Sequence, residues 1–284
     1  ETRAWAAAFG VALRLRGLAR RVRKAGLGRA GGREPPKGAL IESLLDRPEG
    51  EGVVSFHGMV TANPDLKDVF EAIESLESSD LPVLISGATG TGKSLLASAV
   101  HECSARRGAP FVSLSPAAVP DSLVESELLG FVRGAFTGAE ADHQGYFAMA
   151  DGGTLHLDEI ADAGLELQKK LLRVLEDGNV RPLGAKASIH VDVRFLASTS
   201  RDLEKLVRLG RFRKDLYYRL KGVVLEIPPL SERREDVLPL AIHFLRKHAA
   251  SERRDPPALS ESARRLLLGH DWPGNVRELE NEMR

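Results

Sequence analysis

Residues 87 to 94 read Gly-Ala-Thr-Gly-Thr-Gly-Lys-Ser, and a later apolar run ends in Asp158-Glu159. Glycines at 87, 90 and 92 carry no Cβ, so backbone N–H groups can close around a polyphosphate. Lys93 has the reach for β- and γ-phosphates, and the Ser94 hydroxyl suits Mg²⁺. Ala88, Thr89 and Thr91 complete the loop. The preceding run, Pro82 to Ser86, has a buried-strand pattern. Ser94 to Val100 opens a helix whose N-terminus would face the phosphates. At the end of the later strand, Asp158 can hold Mg²⁺ directly or through water, and Glu159 can orient or activate an attacking water. This chemistry is nucleoside triphosphate binding and hydrolysis, with Mg²⁺ on the phosphates.

The elements needed to position such groups are legible around them. Apolar runs at Pro82–Ser86, Phe111–Leu114, Gly153–Leu157, Val191–Ala197 and Val223–Ile227 read as strands. Helical patterns at Pro64–Leu76, Lys93–Ala105, Ser122–Leu129 and Leu165–Glu176 alternate with them. That alternation predicts an α/β fold with a parallel five-stranded sheet covered on both faces. Ligands on such sheets sit at the carboxyl ends of strands, where the glycine loop and Asp158-Glu159 fall. After about Leu230 strand signals stop. Helices are expected over Glu235–Ala250, Ser260–Gly269 and Asn275–Met283, with Ser260 as an N-cap. The predicted organisation is a basic segment and linker over 1–50, an α/β core over 51–229, and an all-α lid over 230–284.

Composition excludes several classes. Hydrophobic residues make up 43% and charged residues 28%, and the formal net charge is zero. No global field therefore recruits nucleic acid or a membrane. The single Cys103 rules out an internal disulfide and fits a reducing cytoplasm. No run approaches the roughly 20 apolar residues that span a bilayer. Between Gly10 and Arg33 lie eight basic residues and no acid. This stretch reads as a basic amphipathic helix or as the solvated tail of an upstream region. The chain begins at Glu1 and stops within a helical pattern at Arg284, as a fragment would.

Two further arginine positions and one loop carry chemistry. Arg213 and Arg219 lie in a helical pattern, Gly210 to Leu220, where guanidinium groups could cover charge on a phosphoryl group. An arginine-rich surface helix would give the same letters. Arg277 lies early in the last helix and could sense nucleotide or pair with Glu278 or Glu280. Gly134-Ala135-Phe136-Thr137-Gly138-Ala139 holds one bulky apolar side chain between two glycine hinges, so Phe136 either tucks inward or faces a partner. His156, between Leu155 and Leu157, reads as a packed core residue.

Over residues 53 to 284 the chain resembles the central AAA+ domain of bacterial enhancer-binding proteins, the activators of sigma-54 RNA polymerase. The six residues from Gly134 to Ala139 match that family's signature loop letter for letter, and the other motifs follow in the family's order. The resemblance implies a homo-oligomeric ring, hexameric as a rule, that hydrolyses ATP between subunits. It implies that Phe136 and Thr137 engage the sigma-54 RNA polymerase holoenzyme. It makes Gly87–Ser94 the phosphate and Mg²⁺ loop and Ala150, Asp151, Gly152 and Gly153, with Asp158 and Glu159, the second nucleotide motif. Phe56, His57 and Gly58 would line the adenine site, Arg213 and Arg219 would be fingers donated in trans, and Arg277 the lid sensor. Contact with promoter-upstream DNA is expected only through a domain absent from this fragment, and none with a membrane. The chain departs from the family pattern at Ser94, at Ser115-Pro116, at Thr199-Ser200 and at Leu129-Gly130-Phe131. Ser115 and Ser200 stand where Asn is usual and reach less far than an amide. The alternative they raise is an ATP-binding regulator with weak hydrolysis. A small-molecule P-loop kinase would need an acceptor pocket and would give the signature loop no role.

Overall fold

The computed structural model describes residues 50–284 apart from Pro120. The basic stretch Gly10–Arg33 and the linker after it lie outside the described residues. In chain order, a hairpin of β1 (Val54–Phe56) and β2 (Met59–Thr61) precedes α1 (Pro64–Glu74), β3 (Val83–Gly87) and α2 (Lys93–Glu102). Next come β4 (Phe111–Leu114), α3 (Asp121–Leu129), the pair β5 (Gly130–Phe131) and β6 (His143–Gln144), α4 (Tyr146–Met149) and β7 (Thr154–Leu157). Then follow α5 (Leu165–Asp177), the pair β8 (Asn179–Val180) and β9 (Ile189–His190), β10 (Arg194–Thr199), α6 (Leu203–Arg208), α7 (Lys214–Leu220) and β11 (Val223–Ile227). The chain closes with α8 (Val237–Ser251), α9 (Glu261–Gly269) and α10 (Asn275–Glu282).

These residues form two compact units, Ile73–Ser86 with Ala97–Leu225, and 50–72 with Gly87–Leu96 and Glu226–Arg284. The first is built on a five-stranded sheet in the order β11-β3-β10-β7-β4. β10 runs parallel to β3 and to β7, and β4 runs parallel to β7. Every residue of β7 and β10 is buried, as the contiguous runs predict for strands covered on both faces. Leu84, Leu155, Leu157, Leu171, Ala197 and Leu216 belong to one core beneath the helices. In the second unit Leu230, Val237, Phe244, Leu268, Trp272 and Leu279 pack together.

Local chemistry explains the ends of elements. α5 stops at Gly178, whose φ of 64° lets its N–H reach back to the Val174 carbonyl. Ser260 caps α9, its hydroxyl accepting from the Ala263 amide at 3.2 Å. The strand expected over Val191–Ala197 is shifted, and β10 starts at Arg194 and runs on to Thr199. Val191 is used instead to close the β8–β9 hairpin, its N–H bonding the Gly178 carbonyl at 2.7 Å. The two-residue pairs β5–β6 and β8–β9 are too short to show alternation in sequence. The helical pattern expected from Gly210 begins only at Lys214, and Arg213 is its N-cap.

Candidate nucleotide site

Register decides which side chains meet at the carboxyl edge of the sheet. Thr199 pairs with Ser86, and Ala197 with both Leu84 and Leu157, so β7 ends two residues before β10 and leaves Asp158 and Glu159 beside the last residues of β10. Asp158 follows directly, its amide donating to the Leu114 carbonyl at 2.8 Å. The Ser198 hydroxyl donates to Asp158 Oδ1. Glu159 turns the chain with a left-handed backbone, φ 51° and ψ 53°, an uncommon conformation for a residue with a Cβ. Its Oε2 accepts from both the amide and the hydroxyl of Ser200, each at 2.8 Å. Ser115 caps the short turn after β4 with no side-chain capping hydrogen bond.

Beneath Asp158 runs a buried polar chain that the strand pattern did not reveal. Ser113 Oγ lies 2.9 Å from His156 Nδ1, and His156 Nε2 lies 3.0 Å from Ser198 Oγ. Because Ser198 gives its one proton to Asp158, its oxygen accepts from His156. His156 therefore carries its proton on Nε2 and accepts from Ser113 at Nδ1. Burial drives the His156 imidazole down to about 4, against the opposing pull of the Asp158 charge. The ring is 1% exposed. It is a core residue as expected, but one with a full set of hydrogen bonds.

In the second unit the glycine loop is held from behind. The Thr89 carbonyl accepts from Asn275 Nδ2 at 2.9 Å, and the Thr91 carbonyl from Arg233 Nη2 at 3.1 Å. Between them the Gly90 carbonyl accepts from the amides of Val276 and Arg277, at 3.0 and 3.2 Å. Across a trans peptide the following N–H points the opposite way. These contacts therefore turn the Gly90, Thr91 and Gly92 amides to the other side. Thr91 N–H makes only a 3.4 Å turn contact with the Ala88 carbonyl, and the Gly90 and Gly92 amides have no partner among the described residues. Gly90, at φ 81°, could carry no side chain, since a Cβ there would lie 2.4 Å from the Gly274 carbonyl. Lys93 Nζ donates to the Gly87 and Ala88 carbonyls at 3.0 and 3.3 Å. Ser94 is exposed in the first turn of α2.

The hairpin residues Phe56, His57 and Gly58 belong to this same unit. The turn between β1 and β2 needs positive φ at His57 and Gly58, 45° and 83°. Phe56 stacks on Phe70 at 4.5 Å, and a Cβ on Gly58 would meet Leu95 of α2 at 3.8 Å. Arg277 is exposed on α10. Of the two alternatives for Arg277, pairing with Glu278 or Glu280 does not form among the described residues, and these carboxylates bind other groups. Glu278 accepts from the Gly274 amide at 2.7 Å, and Glu280 from Lys247 at 2.8 Å. Arg233, Asp236 and Asn275 were not picked out from the sequence. Their burial and partners depend on segments far away along the chain, and a helical stretch rich in charge gives no hint of them.

The remaining expected residues lie elsewhere. Ala150, Asp151, Gly152 and Gly153 form the turn that enters β7, at the opposite end of that strand from Asp158. Four strand residues separate Gly153 from Asp158, roughly 16 Å. Their carbonyls and carboxylate serve the turn, as in Gly153 N–H to Ala150 O at 2.8 Å and Asp192 N–H to Asp151 Oδ1 at 2.8 Å. Arg213 grips Asp215 with two bonds, 3.0 and 2.6 Å, and its amide donates to buried Gln168 at 2.7 Å. Arg219 is exposed and reaches the Leu175 carbonyl at 3.2 Å. The loop from Gly134 to Ala139 is closed at its base by Gly134 N–H to Ala139 O, 2.8 Å. Gly134 and Gly138 have φ of 79° and 104°, Thr137 is exposed, and Ala135 lies against Gly184. Phe136 stays 42% exposed with its ring edge-on to Phe131 at 4.9 Å, and Phe131 in turn stacks on His143 at 5.1 Å.

Each unit by itself offers groups of the kind a magnesium nucleotide uses: in the second, the glycine loop presents amides to an anion and Ser94 a hard oxygen, and in the first, Asp158 presents a carboxylate. Among the described residues no group of three or more His, Cys, Asp or Glu could hold a metal ion, so the cation would need phosphate oxygens. No described helix is long and apolar enough to cross a membrane.

Residues 59–226 match the family model of the sigma-54 interaction domain, and residues 231–284 that of the AAA+ ATPase lid domain. The transcriptional regulatory protein ZraR of Salmonella typhimurium is 49% identical over 224 residues, 79% of this chain and 51% of that protein. The Nif-specific regulatory protein of Klebsiella pneumoniae is 48% identical over 223 residues, 78% of this chain and 42% of that protein. The crystal structure of NtrX from Brucella abortus in complex with ATP superposes with a TM-score of 0.74 at 34% identity, covering 79% of this chain and 49% of that one. The chain thus spans about half the length of the relatives it matches. With the loop of residues 134–139, the acidic end of β7 and the helical lid all present in order, the chain belongs to the sigma-54 interaction domain family of AAA+ proteins.

Proposed function

We propose that this chain is an ATP-hydrolysing transcription-activator module, with 51–229 as nucleotide core and 230–284 as lid. The amides of the 87–94 loop and Lys93 bind the phosphates, and Phe56, His57 and Gly58 line the adenine. Mg²⁺, held by Ser94 and by Asp158 directly or through water, would supply charge neutralisation on the phosphates. Glu159 orients and activates the attacking water. Arg213 and Arg219 of a neighbouring copy in a homo-oligomeric ring cover the γ-phosphate, and Arg277 reports on nucleotide from the lid. The Gly134–Ala139 loop engages the sigma-54 RNA polymerase holoenzyme and moves with the hydrolysis cycle.

The observation that carries this reading is the carboxyl edge of the sheet. There β3 runs on into the glycine loop, while β7 ends in two carboxylates held by Ser198 and Ser200 of β10 and the residue after it. The ATP complex of the NtrX relative supports the choice of nucleotide. A second reading, nucleotide binding with weak hydrolysis, draws on Ser115, whose side chain makes no capping bond.

Steady-state ATP hydrolysis measured against protein concentration tests the proposal, with Arg213→Ala alongside. Specific activity is expected to climb with concentration and to collapse in the variant. Tight ATP binding with flat, negligible turnover would instead favour the weak-hydrolysis reading.

A further inference from the structure

The outward-facing carbonyls of the glycine loop have a consequence for how phosphate affinity is set. In a chain of this type the loop's hold on phosphate depends on amides pointing inward, and glycines by themselves do not impose that direction, since they populate many conformations. Here three consecutive carbonyls, at 89, 90 and 91, are each bound by a donor from the C-terminal segment. Two of those donors are side chains, and both are buried, Arg233 at 1% and Asn275 at 4% exposure.

Each of the two is itself held in place. Arg233 donates through Nε to the Pro228 carbonyl at 3.1 Å and through Nη1 to Asp236 Oδ2 at 3.1 Å. Asp236 is anchored by the Thr61 hydroxyl at 2.7 Å and by the amides of Ala62 and Asn63 at 2.6 and 3.0 Å. Burial pushes the Asp236 carboxyl up, and the Arg233 charge with the Thr61 and Ala62 donors offsets it. Asn275 sits at φ 56°, so its amide is aimed by the turn between Trp272 and α10. Its Oδ1 accepts from the Leu230 amide at 2.8 Å while Nδ2 binds Thr89 O. The planar amide thereby locks one orientation.

We infer that Asn275 and Arg233 are positioning residues for the phosphate loop. They fix its carbonyls outward, so that the Gly90 and Gly92 amides stand ready for the β-phosphate before any nucleotide arrives. Neither residue touches the ligand. Pre-organisation of this kind raises affinity by removing the ordering cost from the binding step. The inference rests on the phosphate-binding reading of residues 87–94. It adds that the β-phosphate increment is set from the C-terminal helices through backbone carbonyls.

Arg233→Met would strand Asp236 without its counter-charge, so Asn275 gives the decisive variants. Asn275→Asp keeps the acceptor for Leu230 and replaces the donor to Thr89 O and Pro273 O with a charged oxygen, so its exchange without nucleotide is the reading free of that charge's repulsion of phosphate. Asn275→Gly keeps the left-handed backbone and removes both bonds. Two measurements apply to the whole chain: amide hydrogen exchange at Val276 and Arg277, whose N–H groups bond the Gly90 carbonyl, without nucleotide, and dissociation constants for fluorescent ADP and AMP analogues. In both variants exchange at these amides is expected to accelerate, and the preference for ADP over AMP to fall about tenfold, with AMP affinity unchanged. A general loss of stability would weaken both nucleotides alike. Exchange and preference unchanged in folded Asn275→Asp would overturn the inference. Loss in Asn275→Gly alone would also overturn it, by tracing the effect to Leu230. If the native chain binds neither nucleotide, the ATP reading fails, while the exchange measurement still decides whether Asn275 orders the loop.

Discussion

Ser200 holds Glu159 with two donors on one oxygen, its amide and its hydroxyl each 2.8 Å from Oε2. The carboxylate that would activate water is thus aimed from the loop after β10. Ser200→Ala keeps the amide and loses the hydroxyl, and should lower ATP turnover about tenfold while leaving nucleotide affinity within about twofold. Ser200→Asn lengthens the arm, and Ser115→Asn adds a second one. Turnover that rises tenfold or more in either would establish that the native serines restrain hydrolysis, and no rise would remove the basis of the weak-hydrolysis reading.

His156 predicts an acid-side loss of stability in protein free of nucleotide and metal. Its folded value is about 4 against an ordinary 6.5. Between these pH values the unfolded chain binds a proton that the folded chain does not, so stability falls as pH falls through the window. The slope approaches about 1.4 kcal/mol per pH unit, on the order of 3 kcal/mol in all. His156→Phe should flatten the dependence of Tm on pH between about 6.5 and 4. An unaltered profile would show that another group governs it.

Phe136 and Thr137 stand at the tip of a loop whose base is closed by one backbone bond and whose ring rests on Phe131. Replacing either residue with Ala should abolish sigma-54-dependent open-complex formation and leave ATP hydrolysis within about twofold. Both contacts lie within the loop and its stem, which is the reason to expect separation. Loss of both activities together would count against a dedicated coupling loop.

Gly90→Ala should destabilise the chain even without nucleotide. Its φ of 81° is unfavourable for an L side chain, and the added Cβ would meet the Gly274 carbonyl at 2.4 Å. Thermal unfolding should shift down by roughly 5 °C or more, the size of a strain of about 2 kcal/mol in a chain of this length. A Gly164→Ala control, with nothing within 4 Å of the added Cβ, should move little.

What the sequence determined alone is what is local or periodic. β4 and β11 fall where the apolar runs place them, although as edge strands of the sheet they leave Ser113, Val224 and Glu226 exposed. The glycine loop, the acidic end of β7 and the Ser260 cap each depend on neighbours within a few residues. Tertiary structure decided the partners. Arg233 and Asn275 bind carbonyls 142 and 186 residues away, and nothing in their own segments marks them as buried. His156 lies in a strand whose pattern reports only that it is inside, while parallel pairing with β4 and β10 supplies Ser113 and Ser198. The second motif is contiguous in sequence from Ala150 to Glu159, yet the extended strand within it puts Gly153 and Asp158 roughly 16 Å apart. Periodicity records how deeply a side chain is buried. Which group it meets there is set by register and by the return of distant chain, and those exist only once the fold has closed.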